Sequence, residues 1–303
     1  MLSRRKVMAA IYIAVAAATA GAAAAEDWRA KYPELVFAVV PAESATGVED
    51  RFKPFIAYLG KALGVKVTLR IANDYAAVIE GQRAGNIHIA YYGPASYSRA
   101  FVTGVKTEPF AIEVNGDGTK GYHSVFYVKA DSPYRKVEDL KGKNLGLVDP
   151  NSTSGNNVPR FALNKMGIDP DKFFDKVVFT GSHENAVIAL QQGTVDIAAN
   201  WWNDETESNL LRMERKGMAK ASDFRIIYTS DLIVNSPYAY LSDLPDDLKQ
   251  AIRDAWFSIG QKDQAAFDHI YEGKMRMWEP VEHKAYEPVV ELIKFVDKLR
   301  KKS

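Results

Sequence analysis

Apolar positions recur along the chain in two alternating periods. Leu35-Val36-Phe37-Ala38-Val39-Val40 is a continuous apolar run of strand length. Phe52, Phe55, Ile56, Leu59 and Leu63 follow at helical spacing, and Gly64 supplies a stop. The alternation continues as strand 65–71, helix 75–84, strand 87–92 closing on Gly93-Pro94, helix 95–102 and strand 109–114. After a polar turn at 115–121, an extended run at 123–129 leads into a second block. That block predicts a short helix and turn at 137–143, strand 144–148, helix 158–166, strand 176–180, helix 184–192, strand 195–200, a polar helix 205–216 and strand 224–229. Residues 232–240 read as a return path, and the remainder predicts helices at 246–259, 263–271 and 286–299. Strands alternating with helices predict mainly parallel sheets. Two such blocks joined by extended crossings predict two α/β lobes around a cleft.

The first 25 residues stand apart from this pattern. Arg4, Arg5 and Lys6 precede an apolar run at 7–18, and Ala23-Ala24-Ala25 offers small residues for cleavage. This predicts an export signal over 1–25, by the general route or, from Ser3-Arg4-Arg5-Lys6, the twin-arginine route. A permanent anchor is the alternative, although the run is short for a bilayer. The segment holds three of the 39 basic residues and none of the 38 acidic ones, leaving 36 against 38, a net −2. No basic excess points to nucleic acid. With no cysteine, disulfide and thiolate chemistry are excluded, so the fold rests on its core.

The densest chemistry lies in Pro150-Asn151-Ser152-Thr153-Ser154-Gly155-Asn156-Asn157, between strand 144–148 and helix 158–166. Three hydroxyls at a strand-to-helix turn place side-chain donors beside free backbone N–H groups at the positive end of a helix, which suits an oxyanion. Helix capping uses the same geometry, so the turn alone leaves both readings open.

The ordered series Asp74-Tyr75-Ala76, Ile89-Ala90-Tyr91-Tyr92-Gly93, Gly121-Tyr122, Asp149 to Gly155, and Gly181-Ser182-His183-Glu184 resembles the phosphonate-binding proteins of phosphonate ABC importers. The similarity runs from about residue 35 to about residue 240, weakening in the C-terminal helices. It implies a type II periplasmic binding protein: two α/β lobes, a two-stranded hinge and a ligand held in the cleft. The expected division is lobe 1 over 26–122 plus 236–303 and lobe 2 over 123–235. The resemblance also implies delivery of a small phosphonate to an inner-membrane permease from the periplasm, without a cofactor. Some relatives dimerise through their C-terminal helices, and the apolar spacing at Val289, Val290, Leu292, Ile293, Val296 and Leu299 suits either a homodimer or core packing.

By the same resemblance, the phosphonate is held by Tyr92, by Ser152, Thr153 and Ser154, and by His183, with no Lys or Arg among them. These side chains can all donate to anionic oxygens. Tyr91 and Tyr92 are adjacent on a strand, so only one faces the cleft. Tyr75 faces the cleft from lobe 1. For the ligand's organic end, aminoalkyl-phosphonate binders carry two acidic residues; here Asp204, or Glu205, matches the first, while Ser236 stands at the second. That departure, with Asn203, Trp201 and Trp202 nearby, predicts an altered preference for the substituent. Rival readings are a binder of phosphite, phosphate, a sulfonate or another small oxyanion, and more remotely an exported phosphoester hydrolase. No nucleophile elbow, zinc-protease or phosphate-loop motif is present, and none of the five histidines is at metal-ligand spacing with another.

Overall fold

In the computed structural model, which describes residues 27–301, the export signal expected over 1–25 lies outside the described residues. The first block folds as α1 (Trp28–Lys31), β1 (Glu34–Val39), α2 (Ala45–Leu63), β2 (Lys66–Ile71), α3 (Tyr75–Arg83), β3 (Ile89–Tyr91), α4 (Pro94–Val102) and β4 (Thr107–Asn115). The chain then crosses through β5 (Gly121–Lys129) to β6 (Asn144–Leu147), α5 (Val158–Lys165), α6 (Pro170–Phe173), β7 (Lys176–Phe179), α7 (His183–Gln191), β8 (Ile197–Asp204), β9 (Glu207–Ser208), α8 (Asn209–Arg215) and β10 (Phe224–Thr229). It returns through β11 (Ile233–Val234) and β12 (Pro237–Leu241), and ends in α9 (Asp246–Lys262), α10 (Gln264–Tyr271), β13 (Met275–Pro280) and α11 (Glu287–Arg300).

Two sheets result, each the floor of one lobe. The first has the order β13-β4-β12-β3-β1-β2 and the second β10-β5-β8-β6-β7, with β11 on β5 and β9 on β8. In both, three parallel strands come in the order second, first, third. A strand from a crossing then lies antiparallel between the third and the fourth: β12 between β3 and β4, β5 between β8 and β10. The crossings lie side by side where Tyr122 pairs with Ile233 and Gly121 with Val234, a two-stranded hinge. They approach so closely that a Cβ at Gly121 would sit 2.6 Å from Leu232 Cγ and 2.8 Å from the Ile233 carbonyl oxygen.

Two local expectations are overturned. The tail is not all helical, because β13 pairs antiparallel with β4 and covers its edge. The strand carries Trp278 into an aromatic cluster, with ring centroids 5.1 Å from Phe55 and 5.0 Å from both Tyr238 and Phe267. That burial decides a segment with little periodicity of its own. Residues 205–216 likewise begin as a turn and β9 before becoming α8. In α11, Val289, Val290, Ile293 and Val296 are buried. The helix lies against α4 and α5, fixed by the Arg99–Asp297 ion pair on one side and by a Phe161–Phe295 edge contact at 5.4 Å on the other. Four of the six apolar positions that also suited a homodimer are therefore packed within the chain, while Leu292 and Leu299 are only partly buried. Among the described residues, no helix is long and apolar enough to cross a membrane.

Gly155 shows how the core shapes the hydroxyl turn. Its N–H donates to Ser152 Oγ at 3.1 Å, and a Cβ there would lie 2.4 Å from Val148 Cβ and 2.7 Å from Ser152 Oγ. Val148 is fully buried and cannot retreat. Gly155→Ala is expected to destabilise the protein by about 1–3 kcal/mol through overpacking, read as a lower urea midpoint with an unchanged slope.

Candidate functional site

Parallel strands of an open α/β sheet deliver their carboxyl ends, and the helices that follow them, to one crevice. Here both sheets present that edge to the same cleft. The helical segments that open there are α2 after Ser44, α3 after Asp74, α4 after Gly93, a π-type turn over Thr153–Asn157 after Ser152, and α7 after Ser182. Ser44, Asp74, Ser152 and Ser182 each cap their segment with a side-chain oxygen. Between the lobes lies a cavity of about 100 Å³, lined from both sides.

One part of the cavity consists of neutral donors. Ser152, Thr153 and Ser154 line it and are buried. Asn156 and Asn157 lock their backbone by donating to the Pro150 carbonyl at 2.8 and 3.1 Å. The Tyr75 phenol lies against Ser152, and the Tyr122 phenol against Thr153 and Ser154. Burial raises the pKa of both phenols, that of Tyr122 to about 12, so they stay protonated donors. His183 opens α7 with Nε2 3.5 Å from Ser152 Oγ, while its buried Nδ1 has no hydrogen-bond partner among the described residues. Burial lowers its pKa to about 3, keeping the ring neutral.

The lobes are closed on this site. His183 donates its backbone N–H to the Ala42 carbonyl at 2.9 Å, and the Ala95 N–H donates to Thr153 Oγ1 at 2.9 Å. Ser44 N–H donates to Glu184 Oε2 at 2.8 Å, and Lys216 Nζ bridges Glu43 and Glu184 at 2.9 and 3.0 Å. Burial alone would raise the Glu43 carboxyl, but Arg51, Arg212 and Lys216 hold it down at about 2.

The rest of the cavity carries formal charge. Glu43, Arg51, Glu113 and Arg212 line it together with Tyr91, Asn203 and Asn209. Arg51 pairs with Glu43 at 2.6 Å. Arg212 donates through Nε to Glu207 and lies 5.0 Å over the Trp201 ring. Glu113 Oε1 accepts from Tyr91 at 2.5 Å and Tyr271 at 2.6 Å. Burial raises its pKa, with the two phenols, Arg212 and Arg51 opposing the rise.

Of the residues expected from sequence, Tyr75, Ser152, Thr153, Ser154 and His183 come together. Tyr92 borders the cavity, but its ring is fully buried and its hydroxyl donates to Gln82 Oε1 at 3.0 Å within lobe 1. The phenol beside the hydroxyl turn is Tyr122, which stands in the quoted Gly121-Tyr122 pair. Asp204 does not line the cavity. Its Oδ1 accepts from Thr206 N, Thr206 Oγ1 and Glu207 N at 2.6, 2.7 and 3.0 Å, closing the turn between β8 and β9. Ser236, Asn203 and Trp201 do line the cavity, whereas Trp202 packs on His123 at 5.7 Å. Arg51, Glu113 and Arg212 were missed. Glu113 had a signal, a lone carboxylate inside the apolar run 109–114; the arginines looked like ordinary helix-surface charges. Among the described residues, no cluster of His, Asp or Glu could hold a metal ion.

Comparison with known proteins gives a consistent picture. Residues 37–286 match the family model described as ABC transporter, phosphonate, periplasmic substrate-binding protein. The chain is 34% identical over 232 residues to the phosphonates-binding periplasmic protein of Escherichia coli, covering 75% of this chain and 66% of that one. It is 32% identical over 219 residues to a phosphate-import protein of Mycolicibacterium smegmatis, covering 69% and 66%. Each match thus spans just under two thirds of the relative. A Pseudomonas aeruginosa structure, the binding protein component of an ABC phosphonate transporter, superimposes with a TM-score of 0.79 at 28% identity, covering 88% of both chains.

The neutral His183 makes stability depend on pH. The unfolded imidazole takes up a proton below about 6.5, whereas the folded one does so only near 3, so the unfolded state binds more protons between these values. Stability contributed by this group is complete above the higher value and falls as pH drops towards the lower. From pH 7 to pH 5 the loss is about 2 kcal/mol. Urea titrations should show this loss in the ligand-free wild type and a correspondingly smaller one in His183→Gln; equal losses would mean that the buried ring is already protonated.

Proposed function

The chain belongs to the phosphonate-binding family of ABC-transporter periplasmic substrate-binding proteins, and on that premise we propose that it captures small phosphonates in the periplasm and delivers them to an inner-membrane importer. The observation that carries the proposal is the closed cavity in which Ser152, Thr153 and Ser154 meet Tyr75, Tyr122 and His183. An anion entering it is met by oriented hydroxyls, a phenol from each wall and a neutral imidazole. Charge-assisted hydrogen bonds to ionised oxygens are about twice as strong as neutral ones. The anion touches both lobes, so binding and closure are one event, and the closed face is the one a permease reads. The chain acts as a carrier and leaves its ligand chemically unchanged. An export signal over residues 1–25 would take it to its compartment.

Isothermal titration with methylphosphonate, phosphate, phosphite and a sulfonate tests this reading. Methylphosphonate is expected to bind, and Ser152→Ala or Tyr122→Phe to weaken it by about 10- to 150-fold, the equivalent of about 1.5–3 kcal/mol for a hydrogen bond to a charged group. Asp204→Asn, which keeps the turn, is expected to change affinity less than about twofold. Binding of phosphate or phosphite with no response to methylphosphonate would retain the oxyanion site but reject the phosphonate assignment.

A further inference from the structure

Two charged side chains in the cavity retain unpartnered atoms. Glu113 sits on β4 in lobe 1 with both of its phenolic donors, Tyr91 and Tyr271, on Oε1. Oε2 has no hydrogen-bond partner among the described residues, yet it is not one of the sealed, unsatisfied atoms, so it borders open space. Arg212 sits on α8 in lobe 2. Its Nε is held by Glu207 and its plane lies over Trp201, while Nη1 and Nη2 have no partner among the described residues and are likewise not sealed. The two side chains feel each other's charge but form no ion pair. Arg51, by contrast, is held by Glu43 and by the Ile270 carbonyl.

We propose that Glu113 and Arg212 form a substituent subsite for a zwitterionic group, Glu113 Oε2 receiving an ammonium and the Arg212 Nη atoms a carboxylate, so that the preferred ligands are phosphonates bearing an amino-carboxylate end. This rests on the phosphonate reading above. The pairing follows from charge and orientation. A carboxylate whose other oxygen is fixed by two phenols is an aimed acceptor with no cation of its own. A guanidinium clamped by its Nε and a ring face offers a two-pronged donor edge matched to a carboxylate. An alkyl substituent would leave both unsatisfied in a closed cavity, where an unpaired polar group is costly. A substituent with one charge would satisfy only one of them. Because the two residues come from opposite lobes, a zwitterion bridges the cleft at its substituent end, as the phosphonate does among the hydroxyls.

The test is isothermal titration of the whole protein with four ligands: methylphosphonate, 2-aminoethylphosphonate, 3-phosphonopropionate and 2-amino-3-phosphonopropionate. The last is expected to bind at least tenfold tighter than either singly charged analogue. Glu113→Gln, which keeps an acceptor for Tyr91 and Tyr271, should cut the preference for 2-aminoethylphosphonate over methylphosphonate at least tenfold. Arg212→Gln should do the same for 3-phosphonopropionate. If its melting curve shows that Arg212→Gln does not fold, Arg212→Lys replaces it, with the preference expected to fall at least threefold because the two-pronged contact is lost. The ratios are internal to each variant, so a general loss of stability does not move them. If methylphosphonate binds as tightly as 2-amino-3-phosphonopropionate, or the ratios survive the substitutions, the subsite is overturned while the phosphonate reading stands. If none of the four ligands binds, both fall.

Discussion

An oxyanion enclosed between two lobes gives up its hydration, and the interior must replace those hydrogen bonds before the cleft can close. The strand order of the two sheets supplies the replacement. In each lobe, parallel strands bring successive strand-to-helix junctions to one edge, and the two edges face each other. Tyr75 opens α3, Gly93 precedes α4, Ser152 caps the π-type turn and His183 opens α7. Helix starts carry donors that the helix itself cannot satisfy. Collecting them around one space gathers backbone and side-chain donors of the kind the proposed anion would need. The hydroxyl turn is the densest of these junctions because Gly155 lets it fold back on Val148, and two asparagines hold it there.

Closure uses the same junctions. The Ala95 N–H at the start of α4 reaches Thr153, and the His183 N–H at the start of α7 reaches the Ala42 carbonyl. The lobes are therefore held together through residues that also line the cavity, Thr153, His183 and Ala42. Lys216, between Glu43 and Glu184, adds an ion-pair bridge at the rim. The cost of desolvating these charges on closure offsets much of their attraction, so such a bridge changes little in net stability. Next to the hinge, Asn235 ties the return crossing to the Glu113 carbonyl and to Asn115 at 3.0 and 3.2 Å. The crossings are thereby fixed to the strand that carries a charged wall of the cavity.

Much of this was legible in the chain. Strand and helix periods located nearly every element of both lobes, because each is buried on a face that its own spacing defines. β13 escaped because Met275 to Pro280 has no clean alternation, and only the open edge of β4 and the aromatic cluster around Trp278 make it a strand. The hydroxyl turn and His183 could be read because they lie at element boundaries. Tyr92 failed for a reason already stated by its neighbour: two adjacent strand residues face opposite ways, and here the hydroxyl of Tyr91 reaches Glu113 while that of Tyr92 enters the core. Asp204 failed because a carboxylate just before a tight turn satisfies the turn's own N–H groups first. Glu113, Arg51 and Arg212 are far apart in sequence: the packing of α2 and β4 in one lobe brings the first two to the cavity, and the meeting of the lobes brings Arg212 to them.

The cavity thus divides its chemistry between two kinds of partner. Hydroxyls, phenols and a neutral imidazole surround one part; two carboxylates and two guanidiniums surround another. Neutral donors discriminate by geometry, since each must align with a particular lone pair. Formal charges act over a longer range and tolerate misalignment, but each demands a counter-charge when buried. The two sets share one small cavity, and the charge of Glu113 acts on the Tyr122 phenol that rests against Thr153 and Ser154. Asp204 stands outside the charged wall, its carboxylate spent on the turn between β8 and β9, and the charges that face the cavity are those of Glu43, Arg51, Glu113 and Arg212.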